Sequence, residues 1–165
     1  MEKQEIKKLD REEIKEQMQN IVAGFTKVPR SPILRRPDEY GMDYEDVFFP
    51  AMDGTVLEGW HIPAKEKSDR ITICNHFSPG NRYGYAGHID PWKTSGGFEV
   101  NFLPKYKALH EAGYNVLVYD LRNHGFSAPG AAGGYNPKFF EYRDVIGSLR
   151  YVRSREDTKN MKTGS

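Results

Sequence analysis

With 165 residues, the chain is the size of one domain rather than two. Hydrophobic residues at 38% and charged residues at 28% suffice to bury a core, which excludes global disorder. Its 24 basic and 23 acidic side chains leave a formal charge of +1, so no net field draws the molecule to nucleic acid or to an acidic membrane.

Residues 2–25 read as an amphipathic helix. Ile6, Leu9, Ile14, Met18, Ile21, Val22 and Phe25 recur at roughly helical spacing, with charges of both signs on the other face. That polar face carries as much acid as base, which favours packing on the domain or on a partner over a membrane surface. The charged start MEKQEIKKLDREE has no apolar secretory core, and no stretch is long and apolar enough to span a bilayer; the expected location is the cytoplasm. Residues 26–43 hold Pro29, Pro32, Pro37 and Gly41 and are expected to form an irregular connector. The domain proper then runs over 44–165.

Residues 44–49 and 56–62 alternate as strands around an Asp53-Gly54 turn, which predicts a β-hairpin. Ile71, Thr72, Ile73 and Cys74 make a short apolar run fit for a buried strand. Cys74 is the single cysteine, which excludes an internal disulfide and any multi-cysteine zinc site. A long glycine- and aromatic-rich loop covers 77–100. Asn101 is placed to cap a helix through Ala112, with Phe102, Tyr106 and Leu109 on one face and Gly113 just past its end. Residues 116–119 form a second buried strand, and 121–136 a second glycine-rich loop. Asn136-Pro137 opens a last helix, with a stripe of Val145, Ile146, Leu149 and Val152. Residues 157–165 are polar. Strand, helix and strand in this order predict a parallel pair in an α/β fold. In such sheets the chemistry sits in the loops after the carboxyl ends of the strands, here after Cys74 and after Asp120.

The first loop reads Asn75-His76-Phe77-Ser78-Pro79-Gly80-Asn81-Arg82. The second reads Tyr119-Asp120-Leu121-Arg122-Asn123-His124-Gly125-Phe126-Ser127. Together with EDVFFPAMDGTVLEGWHIPA and ALHEAGYNVLVYD, they resemble the N-terminal half of the α/β-hydrolase family. One strand of that family often ends in His-Gly-x-x-Gly-Asn and a later one in Asp-x-Arg-Gly-His-Gly-x-Ser. The resemblance covers about residues 44–156. It implies a partial hydrolase sheet, a hairpin followed by parallel strand–helix–strand–helix, preceded by the N-terminal helix. It also implies a serine hydrolase of carboxylic esters, or of amides or lactones, working through Ser–His–Asp/Glu chemistry with no cofactor and no metal.

The same resemblance assigns site residues. A backbone N–H just after the His-Gly pair helps form the oxyanion hole; by position this is Ser78, with Phe77 beside it, and Pro79 cannot donate. Phe77 stands where the family usually has glycine, so the loop is expected to turn differently. His76 reads more readily as a buried histidine holding its loop by a hydrogen bond than as a proton-transfer group, because the family's catalytic histidine lies much later. Asp120, Arg122, His124 and Ser127 look like a ready triad but fall within eight consecutive residues of one loop. In the family this segment is structural, with Asp120 and Arg122 tying down the turn. Gly80, His124 and Gly125 are counted with His76 as loop-structuring residues. Tyr83, Tyr85 and Trp92 either line a pocket for an apolar acyl group or belong to a self-packed loop. His88 and Asp90 are two ligand types, too few for a metal site.

No serine stands in the G-x-S-x-G pattern of the hydrolase nucleophile elbow. Gly125-Phe126-Ser127-Ala128-Pro129 comes closest, but it lacks the second glycine and follows the wrong strand. The strand that would carry the elbow is expected to begin near Lys162-Thr163-Gly164. The chain therefore reads as the front of a truncated hydrolase, with an oxyanion loop and no nucleophile. The strand at 71–74 is expected to keep an open edge that invites self-association or a completing polypeptide. The competing reading is a non-catalytic half-domain that pairs through this edge or through the N-terminal helix. Glycines 80, 84 and 87 do not give the spacing of a dinucleotide-binding turn. The expected partners are thus a small ester-like substrate and a completing chain, not nucleic acid or membrane.

Overall fold

A computed structural model describes residues 10–26, 30–93, 96–130 and 140–164. The first helix, α1 (Arg11–Thr26), begins at a capping box: the Glu13 N–H donates to Asp10 Oδ1 (2.8 Å) and the Asp10 N–H to Glu13 Oε2 (3.0 Å). Ile6 and Leu9, counted on its apolar stripe, lie outside the described residues. Ile14 and Met18 on that stripe are about half exposed. After an irregular stretch, Pro37–Tyr40 forms one 3-10 turn, ended by Gly41 in the left-handed region (φ 71°).

The predicted hairpin is β1 (Glu45–Pro50) against β2 (Val56–Ile62), antiparallel with Pro50 opposite Val56. Alternation along β1 buries Val47 and Phe49 and leaves Phe48 exposed. β3 (Arg70–Cys74), α2 (Leu103–Glu111) and β6 (Asn115–Tyr119) make the expected crossover, and β3 and β6 run parallel with Ile73 opposite Leu117. Asn101 Oδ1 accepts the Leu103 N–H (3.0 Å) at the start of α2. β2 pairs with the other side of β6, antiparallel, and Gly59 meets Tyr119 there. A Cβ on Gly59 would lie 2.5 Å from the Val118 carbonyl oxygen, so this contact admits only glycine. Every β6 residue is buried, which is why the run after Asn115, Val116 to Tyr119, is apolar on both faces instead of alternating.

The 77–100 loop contains a feature without a sequence signal. Gly84–Tyr85 (β4) pairs antiparallel with Val100–Asn101 (β5), so the long loop is closed by its own two-stranded ladder. Each face of the main sheet carries its own core. On one face Val47, Phe49, Leu57, Ile71, Ile73, Leu117 and Tyr119 pack under α3 (Glu141–Ser154). On the other, Trp60, Ile62, Val116 and Val118 pack with Leu103 and Tyr106 of α2.

Two expectations need correction. The helix start at Asn136-Pro137 lies outside the described residues, but the predicted stripe of α3 can be checked. Its buried residues are Asp144, Gly147, Ser148 and Val152, while Leu149 is 39% exposed. A Cβ on Gly147 would sit 2.6 Å from the Pro50 oxygen and from Ala51 Cα. The helix thus rests its glycine, not its leucine, on the hairpin, and Asp144 is drawn inward to Arg122 (2.8 Å, Oδ1 to Nε).

The second correction concerns the edge of β3. The polar 157–165 stretch returns to the sheet as β7 (Lys162–Gly164), parallel to β3 over Arg70–Thr72, and the strand order is β1-β2-β6-β3-β7. The edge of β3 is therefore covered at its start, and the sheet ends on β7. Buried Thr158 donates its hydroxyl to the Val152 carbonyl (2.7 Å), and the Lys162 N–H donates to the Asp69 carbonyl (2.7 Å). The ion pair of Lys162 with Asp69 (3.0 Å) joins groups 81% and 67% exposed. So exposed a pair is screened by solvent, and the backbone ladder and the Thr158 anchor hold β7. Among the described residues no helix is long and apolar enough to cross a membrane.

Candidate active site

The loops after β3 and after β6 leave the sheet side by side, and each reaches across to the other through a histidine. In the first loop the Leu121 N–H donates to His76 Nε2 (3.0 Å) and His76 Nδ1 lies 2.9 Å from the Phe77 carbonyl oxygen. Those partners assign the proton to Nδ1. Burial holds this imidazole well below its usual range, at about 4, against an upward pull from the Phe77 carbonyl and with a lesser downward contribution from the neighbouring His124. His76 is neutral at pH 7. In the second loop His124 Nδ1 faces the Arg122 carbonyl (2.9 Å) and Nε2 lies 3.1 Å from Ser78 Oγ. The two rings meet edge to face, with centroids 5.1 Å apart.

The Asp120 carboxylate joins the loops a second time. It is fully buried and accepts the Arg82 N–H (2.7 Å, Oδ1) and the Phe126 N–H (2.9 Å, Oδ2). Gly125 runs directly over it at φ 45°, where a Cβ would collide with the carboxylate. Ser127 donates its hydroxyl to the Asp120 carbonyl (2.6 Å) and accepts the Glu58 N–H (2.9 Å). His124 turns to Ser78, so Asp120, His124 and Ser127 do not form a relay. Arg122 is bound by two carboxylates, Asp144 on α3 (2.7 and 2.8 Å) and Asp53 in the hairpin turn (2.8 and 3.1 Å). Hydrogen bonding from Arg122 holds the Asp53 carboxyl well below the usual carboxylate range.

The first loop itself folds as a tight turn closed by the Gly80 N–H on the Phe77 carbonyl (2.8 Å). The Phe77 carbonyl and the Ser78 N–H belong to one peptide plane and point in opposite directions. His76 and Gly80, by holding that carbonyl, turn the Ser78 N–H outward. Among the described residues neither the Phe77 nor the Ser78 N–H has an acceptor. The Phe77 ring is 43% exposed and meets Tyr85 and Phe102 at 6.3 and 6.0 Å.

The aromatic residues of the long loop separate. Tyr83 is fully buried in the core with Leu103 and Tyr106, and its hydroxyl donates to Glu99. Of the two readings open for it, a pocket wall or a self-packed loop, its burial against α2 fits the second. Tyr85 donates its hydroxyl to the Trp92 carbonyl (2.7 Å), so these two are bound to each other. A cavity of about 220 Å³ opens instead beside the end of β3, lined by Cys74, Asn75, Phe102, Lys105, Tyr106 and Leu109. Burial pushes the Cys74 thiol up to about 11, so it is not a thiolate at pH 7. Among the described residues no group of three or more His, Cys, Asp or Glu side chains is placed to hold a metal ion.

Several residues that build the site carried no sequence signal. Arg82 is fully buried, bound to Glu58 (2.6 Å) and stacked on Trp60 at 4.8 Å. Arg30, in the supposed connector, donates to the carbonyls of Gly125 (2.8 Å) and Ser127 (2.7 Å). Asn81 donates to the Ser31 carbonyl (2.7 Å), so the connector straps both loops.

No family model and no curated protein matches the chain. Solved structures do. An esterase of Pyrococcus furiosus is 25% identical in one crystal form, with a TM-score of 0.65 over 85% of this chain and 46% of its own. In a second form the values are 26% and 0.62, over 82% and 46%. This chain carries the N-terminal half of the α/β-hydrolase fold. A hypothetical protein of Pseudomonas aeruginosa, 10% identical with a TM-score of 0.50 over 84% of this chain and 37% of its own, shows the same fold alone. The chain spans less than half the length of these structures. β7 runs parallel to the start of β3, and the two loops follow the carboxyl ends of β3 and β6.

Proposed function

We propose that this chain supplies the oxyanion loop of a serine hydrolase acting on carboxylic esters, with amides and lactones as related substrates. The observation that carries the reading is the pair of Phe77 and Ser78 N–H groups, which have no acceptor among the described residues. They lie in the loop after the carboxyl end of β3 (Arg70–Cys74), the end of that strand that β7 does not cover. The esterase likeness supports the substrate class. In the reaction a serine oxygen bonds to the ester carbonyl carbon and gives its proton to a base. The carbonyl electrons move onto oxygen, and the two amides stabilise that charge. Collapse expels the alcohol, which takes the proton, and water then releases the acid. The serine, the base and its acid are assigned to sequence following β7. Asp120, Arg122, His76, Gly80, His124 and Gly125 shape the loops.

A fluorophosphonate probe tests this reading. In the full-length protein, mass spectrometry is expected to place the label on a serine of a G-x-S-x-G segment after residue 164, and residues 1–165 alone stay unlabelled. Stoichiometric labelling of a serine within 1–165 overturns the assignment. A second reading, a module that pairs with a copy of itself or a completing polypeptide, is favoured by one observation. β7 is the last strand of the sheet, and its ladder leaves Ile73 and Cys74 of β3 uncovered.

A further inference from the structure

We propose that His124 is a positioning residue for the oxyanion loop, acting through the Ser78 hydroxyl; the proposal rests on the hydrolase reading above. The Arg122 carbonyl can only accept, so His124 Nδ1, 2.9 Å away, carries the proton. Nε2 then presents a lone pair, and the Ser78 hydroxyl 3.1 Å away donates to it. No other acceptor binds this hydroxyl among the described residues.

The imidazole is fixed from behind. The Arg122 N–H donates to Asp144 Oδ2 (3.0 Å), so the carbonyl that orients His124 is tied to α3. Arg30 holds the next carbonyls of the loop, at Gly125 and Ser127. His124 is 3% exposed, and burial lowers its affinity for a proton. It meets Ser78 as a neutral acceptor at pH 7.

Ser78 is the residue whose N–H is to meet the oxyanion. His76 and Gly80 set the plane of its peptide from the Phe77 side, and His124 holds its side chain from the other loop. A donor contributes to catalysis only when it is aimed before the charge forms, and small misplacements cost rate. The Ser78–His124 bond supplies the second point of attachment that keeps the peptide from swinging.

Two measurements on the full-length protein test the proposal. In ¹⁵N spectra of the imidazoles, Ser78→Ala is expected to shift the His124 Nε2 signal, while Nδ1 stays. The same variant lowers kcat for an ester about tenfold with KM little changed, and Ser78→Thr, which keeps the hydroxyl, restores both readouts. An unmoved Nε2 signal refutes the bond. A moved signal with unchanged kcat refutes the positioning role and leaves the hydrolase reading standing. Absence of ester turnover in the unsubstituted protein overturns that reading and this one with it.

Discussion

Asp120→Ala is expected to destabilise the folded chain by ~4 kcal/mol, the range for breaking a buried ion pair on one side. The carboxylate is fully buried and takes the N–H groups of Arg82 and Phe126, one from each mouth loop. It also stands 3.3 Å from Arg82 Nη1. Arg82 is itself fully buried; its Nη2 is bound to Glu58, and its Nε and Nη1 have no hydrogen-bond partner among the described residues. Removing Asp120 leaves that guanidinium with one acid and strands two amides, so both penalties add. Asp120→Asn keeps an acceptor for one N–H but loses the charge, and is expected to cost about half as much. By contrast, Lys159→Ala removes an exposed pair with Glu156 (41% and 87%) and is expected to cost about 0–1 kcal/mol. Urea unfolding of the three variants measures the differences. A loss below about 1 kcal/mol for Asp120→Ala would contradict the view that this carboxylate holds the loops together.

Stability is also expected to fall by about 3 kcal/mol as the pH drops from 6.5 to 4, and His76 is the cause. Its imidazole ordinarily titrates at 6.5 and in the fold is held at about 4, mainly by burial. The unfolded chain therefore binds more protons in this window. The contribution is fully present above 6.5 and lost as the pH falls through the window, at ~1.4 kcal/mol per unit. Structurally, a proton on Nε2 would face the Leu121 N–H at 3.0 Å, donor against donor. His124 and His61, both lowered by burial, act in the same direction. Glu99, held at about 2 chiefly by its bond from Arg35, adds its loss only below the ordinary carboxylate range. Unfolding measured across pH 4–7 is expected to show this slope, and His76→Gln to flatten much of it. A flat profile in the parent protein would show that the loop tolerates a charged His76.

The fold was legible where the signal is local. Val116 to Tyr119 is apolar without alternation because all of it is buried inside the sheet, while Ile71 and Ile73 are the buried positions of an alternating strand. The helix between them, capped by Asn101 and ended at Gly113, announced the parallel crossover. Even the next strand was visible, since Lys162-Thr163-Gly164 follows a helix at the spacing of another crossover. What stayed hidden depends on partners far apart in the chain. Arg122 finds Asp53 at 69 residues' separation and Asp144 at 22. Arg30 finds Gly125 at 95. Nothing near Arg30 distinguishes a strap from a linker, and nothing near Asp144 says that a charge will turn inward. The face of α3 was misread for that reason: Val145, Ile146 and Leu149 form the better apolar stripe, yet Gly147 allows the close approach to Ala51 and Arg122 draws Asp144 in. The mouth residues His76, Phe77, Ser78, Asp120 and His124 were grouped from the order of two loops. Their convergence required the register of β3 on β6.

The most direct measurement is a crystal structure of the full-length protein with a phosphonate bound covalently to its labelled serine. The phosphoryl oxygen stands where the oxyanion forms. It is expected within 2.7–3.1 Å of the Ser78 or Phe77 nitrogen, with His124 still bound to the Ser78 hydroxyl. An adduct whose oxygen is held by other groups, with the loop after β3 turned away, would contradict the function assigned to this half of the fold.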